Sequence, residues 1–241
     1  VFDKLKKIEF AGNNESKTIV GEIRTVLTSN FHDFKNPQQI KSSVVQIQQS
    51  LNTNNTNNTD NLPHIIRGGC KRHAVYFVVQ KGDNDTFKIT ICNRCLGYEN
   101  HLKIEDKNKH DSRSAPKEIE IELLKLEEVL DIISNACSTD YANGAKLIYE
   151  DLINSGTVID SKLGTAKKIQ RVGNCDIVGL KQALGAVCEI LDSNIGREFS
   201  GREFYKNYLG RKKLELIDVD LLEIEVYYTL SLMLFILSWN G

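Results

Sequence analysis

Apolar residues recur at helical spacing from the start of the chain. Ile19, Ile23, Val26 and Leu27 fall on one face of residues 16–31, with Ser16 placed to cap the helix. Pro37 opens a second helical stretch, PQQIKSSVVQIQQSL, where a proline in the first turn removes no helical hydrogen bond. Residues 52–61, NTNNTNNTDN, hold no apolar side chain to bury and read as a linker. Beyond Pro63 the period shortens to two. Residues 73–80 (HAVYFVVQ) and 86–92 (TFKITIC) are rich in β-branched and aromatic side chains and flank the turn-forming KGDND at 81–85, which predicts a β-hairpin. Residues 102–116 form a charged loop. From Lys117 onward, KEIEIELLKLEEVLDIIS and AKLIYEDLINSG read as helices, the latter ending at Gly156, with a short extended piece at 157–159. Residues 176–192 predict another helix, and two more are expected between Ser200 and Trp239.

These elements predict an α+β fold in which a small mixed or antiparallel sheet centred on 73–92 packs against a helix beginning near Cys175. Three regions follow: an N-terminal helical region at 1–51, a polar linker at 52–62, and a main domain at 63–241 carrying a helical insertion at 117–156. The longest apolar run, Val226 to Trp239, has 14 residues against the roughly 20 that a bilayer span requires, so it reads as a core helix.

Charge narrows the function. With 31 basic and 32 acidic side chains the net charge is -1, which argues against a nucleic-acid-coating role. No export signal is visible, so the six cysteines are expected to be reduced and the chain intracellular. The missing initiator Met suggests a piece of a longer protein.

Two chemistries compete for the hairpin. Its ends gather Cys70, His73, Cys92, Asn93 and Cys95 at one end of an antiparallel pair. Cys70-x-x-His73 with Cys92-x-x-Cys95 has the spacing of a structural zinc site. The other reading joins the hairpin to Gln170-Arg-Val-Gly-Asn-Cys175. A cysteine after a Gly-Asn turn at a helix start is exposed, and the helix N-terminus favours its thiolate. His73 would move the proton, Asn93 would orient the ring, and Gln170 would help the Cys175 amide bind an oxyanion. No cofactor is required. Cys188 and Cys92 read as core, Cys70 and Cys95 as thiols at the rim of the site, Cys137 as a helix end, and His101 and His110 as solvated. His32 and His64 have no assignable partner.

The order His73, Asn93, Gln170, Cys175 resembles clan CE cysteine proteases, which include Ulp/SENP-type SUMO proteases, adenain, and the deubiquitinases and Yop-type acetyltransferases of intracellular bacteria. Ala74 stands where SUMO proteases carry Trp, and Asn174-Cys175-Asp176 where they carry Asp-Cys-Gly. The resemblance is therefore to a divergent bacterial-effector branch. It implies a papain-like fold in permuted order and a thiol protease that cleaves isopeptide bonds of ubiquitin or a ubiquitin-like protein. As an effector, the protein would act in a host cytoplasm. The insertion at 117–156 would then grip the protein partner. Acetyl transfer on the same scaffold and a non-catalytic, zinc-stabilised interaction module are the alternatives.

Overall fold

A computed structural model describes residues 21–23, 25–52, 62–93, 103–105, 112–114, 116–159, 167–168 and 175–194. The expected Ser16 cap, nearly all of the polar tract, Cys95, His101, His110, Gln170, and the helices of 200–239 with the apolar run at 226–239 lie outside the described residues. No described helix is long and apolar enough to cross a membrane.

The centre of the fold is a six-stranded sheet in the order β1-β2-β3-β4-β7-β8. Its strands are β1 (Phe31–Asp33), β2 (His64–Cys70), β3 (His73–Lys81), β4 (Thr86–Cys92), β7 (Lys117–Glu122) and β8 (Thr157–Ile159). β1 runs parallel to β2, and every other neighbouring pair is antiparallel. Three short strands, β5 (Lys103–Glu105), β6 (Ser112–Ser114) and β9 (Lys167–Lys168), form a second sheet. The helices are α1 (Pro37–Asn52), α2 (Leu126–Ser138) and α5 (Cys175–Asn194). Between α2 and β8 runs a rod made of α3 (Tyr141–Lys146), a π-helical turn at Leu147–Asp151, and α4 (Leu152–Asn154).

β3 explains why the sheet has two covers. Its stretch 74–79, AVYFVV, is apolar or aromatic throughout, and these six residues and His73 are all buried. A strand of this composition needs packing on both faces. Val75, Phe77 and Val79 face one core together with Ile47 and Leu51 of α1, Leu130 and Ile133 of α2, and Ile148 and Tyr149 of the rod. Ala74, Tyr76 and Val78 face the other, with Ala183, Ala186, Val187 and Ile190 of α5 and with Val26 and Leu27. The second cover sits close. A Cβ on Gly179 of α5 would lie 2.7 Å from the ring of Tyr76.

The β3–β4 hairpin forms as expected, with Asn84 and Asp85 at positive φ in the turn, a conformation these two residue types tolerate. Several expectations are corrected. KEIEIE at 117–122 is a strand inside the main sheet, not the start of a helix. Ile119 and Ile121 are two residues apart, which places them on one face of a strand but nearly opposite one another on a helix. The helix begins only at Leu126, after a 3₁₀ turn at Leu123–Lys125. Residues 117–156 are therefore not an appended insertion: they give the sheet a strand and one core most of its cover. The sheet is correspondingly larger than the small one expected around 73–92. The N-terminal stretch belongs to the same core as well, because β1 pairs with β2 and α1 packs on the sheet across the polar tract. Phe31, expected in a helix, opens β1.

Candidate functional site

Cys175 is the first residue of the 20-residue helix α5, as its sequence context indicates. The thiol is in no disulfide and is half-buried. β3 and β4 pair only as far as Tyr76 and Cys92. Ala74 lies two residues beyond that last pair, and its amide donates to Cys175 Sγ at 3.3 Å. The start of β3 and the start of α5, 101 residues apart in sequence, thus meet at the sulfur.

His73 is the neighbour of that amide, but strand alternation turns its ring the other way. The imidazole lies on the α2–α3 side of the sheet, edge-on to Tyr141 at 5.9 Å between ring centres, while Ala74 and Tyr76 face α5. It is 4% exposed, and its Nε2 is buried with no hydrogen-bond partner among the described residues. Asn93 follows β4 on the same side as His73 and donates its Nδ2–H to Tyr149 Oη at 2.6 Å. The structure therefore brings His73 and Asn93 to one face and Cys175 to the edge of the other. The backbone beside His73, not its ring, contacts the sulfur. Gln170 is outside the described residues.

The zinc set separates in the same way. Cys70 and His73 close the β2–β3 hairpin and face α3, where a Cβ on Gly144 would collide with Cys70 Cβ. Cys92 points into the α5 core. Its strand position therefore directs it away from Cys70 and His73. No group of three or more metal-binding side chains converges among the described residues. Cys70, expected at a rim, is 1% exposed, and burial raises its thiol pKa. Burial also pushes the Cys137 thiol up to about 11.

A polar network unforeseen in the sequence surrounds the first turn of α5. Asp176 accepts two hydrogen bonds from Arg67, Nε at 2.9 Å and Nη2 at 2.7 Å, and a third from Tyr76 Oη at 2.6 Å. Arg67 Nη1 also donates to Asp33 Oδ2 at 2.9 Å. Burial alone would raise the Asp176 pKa, but the bonds from Arg67 and Tyr76 outweigh it and hold the carboxyl below its usual range. Burial, reinforced by Asp176, keeps the Tyr76 phenol protonated well beyond its ordinary range. Lys35, in the loop after β1, donates Nζ–H bonds to the carbonyls of Cys70 at 2.9 Å and His73 at 2.7 Å. The sequence carries one hint of this network, an acid directly after the proposed nucleophile. Its partners are 109 and 100 residues away, and no local pattern announces them.

His32 and His64, without assignable partners in the sequence, pair with each other. His32 Nε2 and His64 Nδ1 are 2.9 Å apart, and the rings stack at 5.2 Å. Burial pushes the His32 pKa down to about 4. Burial and the neighbouring His32 push that of His64 down to about 3.

Compared with known proteins, the chain matches no family model, and neither a curated protein nor a solved structure matches it significantly.

Proposed function

We propose that the chain is a thiol-dependent acyl-transfer enzyme, a cysteine protease that removes ubiquitin or a ubiquitin-like protein in the manner of the bacterial-effector branch of clan CE. The observation that carries this reading is the contact of Cys175 Sγ with the Ala74 amide, directly beside His73. A half-buried sulfur at the N-terminus of a long helix that also accepts a backbone N–H is favoured as a thiolate.

In the proposed reaction Cys175 attacks the scissile carbonyl, and the amide N–H groups of the helix start, with Gln170, bind the oxyanion. His73 carries the proton to the departing amine, and water then hydrolyses the thioester. For this the imidazole must leave Tyr141 and turn about the strand end toward the sulfur. Nε2 has no partner to lose in that turn. Apo geometry often tightens only with substrate bound. Asn93 Nδ2 is engaged by Tyr149, so its orienting bond to the ring would run through Oδ1. An acetyltransferase would share the first half-reaction and pass the acyl group to a lysine or hydroxyl instead of water. The burial of His73 beneath Tyr141 favours one rival reading, a non-catalytic interaction module on the same fold.

One experiment separates them. The protein is incubated with ubiquitin carrying a C-terminal electrophile, with SUMO and NEDD8 probes in parallel. The enzyme reading expects a covalent adduct that is absent in Cys175→Ala and forms about 100-fold or more slowly in His73→Ala. A folded protein that forms no adduct with any of the three probes and does not acetylate itself or a peptide from acetyl-CoA is the interaction module instead.

A further inference from the structure

The peptide that meets the Cys175 sulfur is held from its other end by a cation. The amide of Ala74, which donates to Sγ at 3.3 Å, and the carbonyl of His73, which accepts from Lys35 Nζ at 2.7 Å, belong to the same peptide unit. In a trans peptide these groups point in opposite directions, so the unit lies between an ammonium and a sulfur with its dipole aligned to both. We propose that Lys35 is a positioning residue for Cys175, fixing and polarising the His73–Ala74 peptide so that its N–H stabilises the thiolate. This rests on the reading of Cys175 as the nucleophile.

Three features support a role beyond tying a loop. Among the described residues Lys35 binds two carbonyls and no carboxylate, so its charge is not neutralised by a direct partner. Its bonds take both carbonyls of the pair that closes the β2–β3 hairpin, Cys70 and His73, which fixes the strand end where Ala74 stands. Its own backbone is fixed too: Lys35 N–H donates to Asp33 Oδ1 at 3.0 Å, and the other oxygen of Asp33 is held by Arg67. One chain of bonds therefore runs from the first turn of α5 through Asp176, Arg67 and Asp33 to Lys35, and returns through the His73–Ala74 peptide to Cys175.

The charges around the sulfur agree with this role. Asp176 on α5 would oppose a thiolate, but Arg67 and Tyr76 from β2 and β3 hold it. Asp33 beside β1 shares Arg67, and Asp140 ahead of α3 caps that helix through the Asn143 amide. Cys70 and His73, at the hairpin end, are further titratable neighbours. Among the described residues, Lys35 is the cation that binds the peptide at the sulfur. Hydrogen bonds in series strengthen one another, and a cation acting across one intervening peptide unit is worth about one pH unit.

The test reads the thiol itself. Alkylation of Cys175 by iodoacetamide is followed from pH 5 to 10 by mass spectrometry of the Cys175 peptide. This is done in the wild type, Lys35→Met, Lys35→Gln and Lys35→Arg, with circular dichroism confirming the fold. The expected result is a midpoint about one pH unit higher in Lys35→Met and Lys35→Gln, with about tenfold slower alkylation below it, and recovery in Lys35→Arg. Unchanged midpoints in either folded neutral variant overturn the proposal. Should neither fold, the wild type answers by NMR: the Ala74 amide and the Lys35 side-chain nitrogen should titrate together with Cys175, and silence at both overturns it. The ubiquitin-electrophile assay fails independently. An absent adduct with a shifted midpoint defeats the protease reading alone, and an adduct with an unshifted midpoint defeats the Lys35 role alone.

Discussion

The two faces of the sheet handle polar groups in opposite ways. On the α5 face, Asp33, Arg67 and Asp176 are partly open to solvent and, with the buried Tyr76, are hydrogen-bonded to one another and to the start of α5. On the α1–α3 face, His32, His64, His73 and Asn93 are almost fully buried. Burial lowers the pKa of both His32 and His64 there. The difference is one of desolvation. An ion pair with bidentate geometry at a sheet edge keeps some water and offsets its burial. The paired imidazoles of His32 and His64, buried without a counter-ion, are held in the neutral form. The α5 face thus keeps charged groups beside Cys175, and the other face buries its polar groups within the larger core.

The largest test of that contrast is Phe77→Ala. Phe77 is fully buried on the α1–α3 face, and its loss should destabilise the protein by about 3–5 kcal/mol in denaturant unfolding. A cost under about 1 kcal/mol would mean that this face is not the structural one.

Acid is the next probe. Both His32 and His64 have folded-state pKa values below the ordinary 6.5. The unfolded chain takes up protons that the folded chain refuses, so stability is whole above pH 6.5 and declines as pH falls toward 4. Each histidine contributes a slope of roughly 1.4 kcal/mol per pH unit in that window. The double variant His32→Leu/His64→Leu should lose this slope, measured as denaturation midpoints at pH 7, 6 and 5. An equal slope in both proteins would place the acid sensitivity elsewhere.

A smaller effect is expected at Gly179, where α5 approaches Tyr76. Gly179→Ala forces the ring or the helix to move and should cost about 1–3 kcal/mol. Because α5 carries Cys175 at its start, the alkylation rate of Cys175 should change along with stability. The smallest effect belongs to Arg67→Met. It strips Asp176 and Asp33 of their cation, yet their solvent exposure limits the loss to about 1–2 kcal/mol, and the wild-type advantage should shrink in high salt. A salt-independent loss above about 3 kcal/mol would show the α5 face to be as buried in effect as the other.

Much of the secondary structure was legible because it rests on local periodicity. The 73–92 hairpin, the Pro37 helix, the strand at 157–159 and the helix beginning at Cys175 follow from spacing, turn chemistry and a proline. The misread segment, KEIEIELLKLEE, joins a strand to a helix with no glycine or proline between them. Its glutamates and leucines suit a helix well, and the alternation of two isoleucines is a short signal. β2 was also missed, since HIIRGGC holds two glycines. Gly68 is needed because a Cβ there would press on the Phe77 ring, which is a demand of packing and not of strand propensity.

For the site, the sequence supplied the position of Cys175 on its helix and the neighbourhood of His73 and Asn93. It could not supply facing. A strand residue points to one side or the other according to how the strand is covered, and β3 is apolar on both sides, so its composition leaves the direction of His73 open. The helices beginning at Pro37 and Cys175 and the 73–92 hairpin were determined by local sequence, because each depends on interactions within a few positions, and the near-neutral charge by composition. The six-strand order, the pairing of His32 with His64, and the linkage from Asp176 through Arg67 and Asp33 to Lys35 were decided only by tertiary structure. His32 and His64 lie 32 residues apart, and Arg67 lies 34 residues from Asp33 and 109 from Asp176, with nothing but the packed sheet to bring them together.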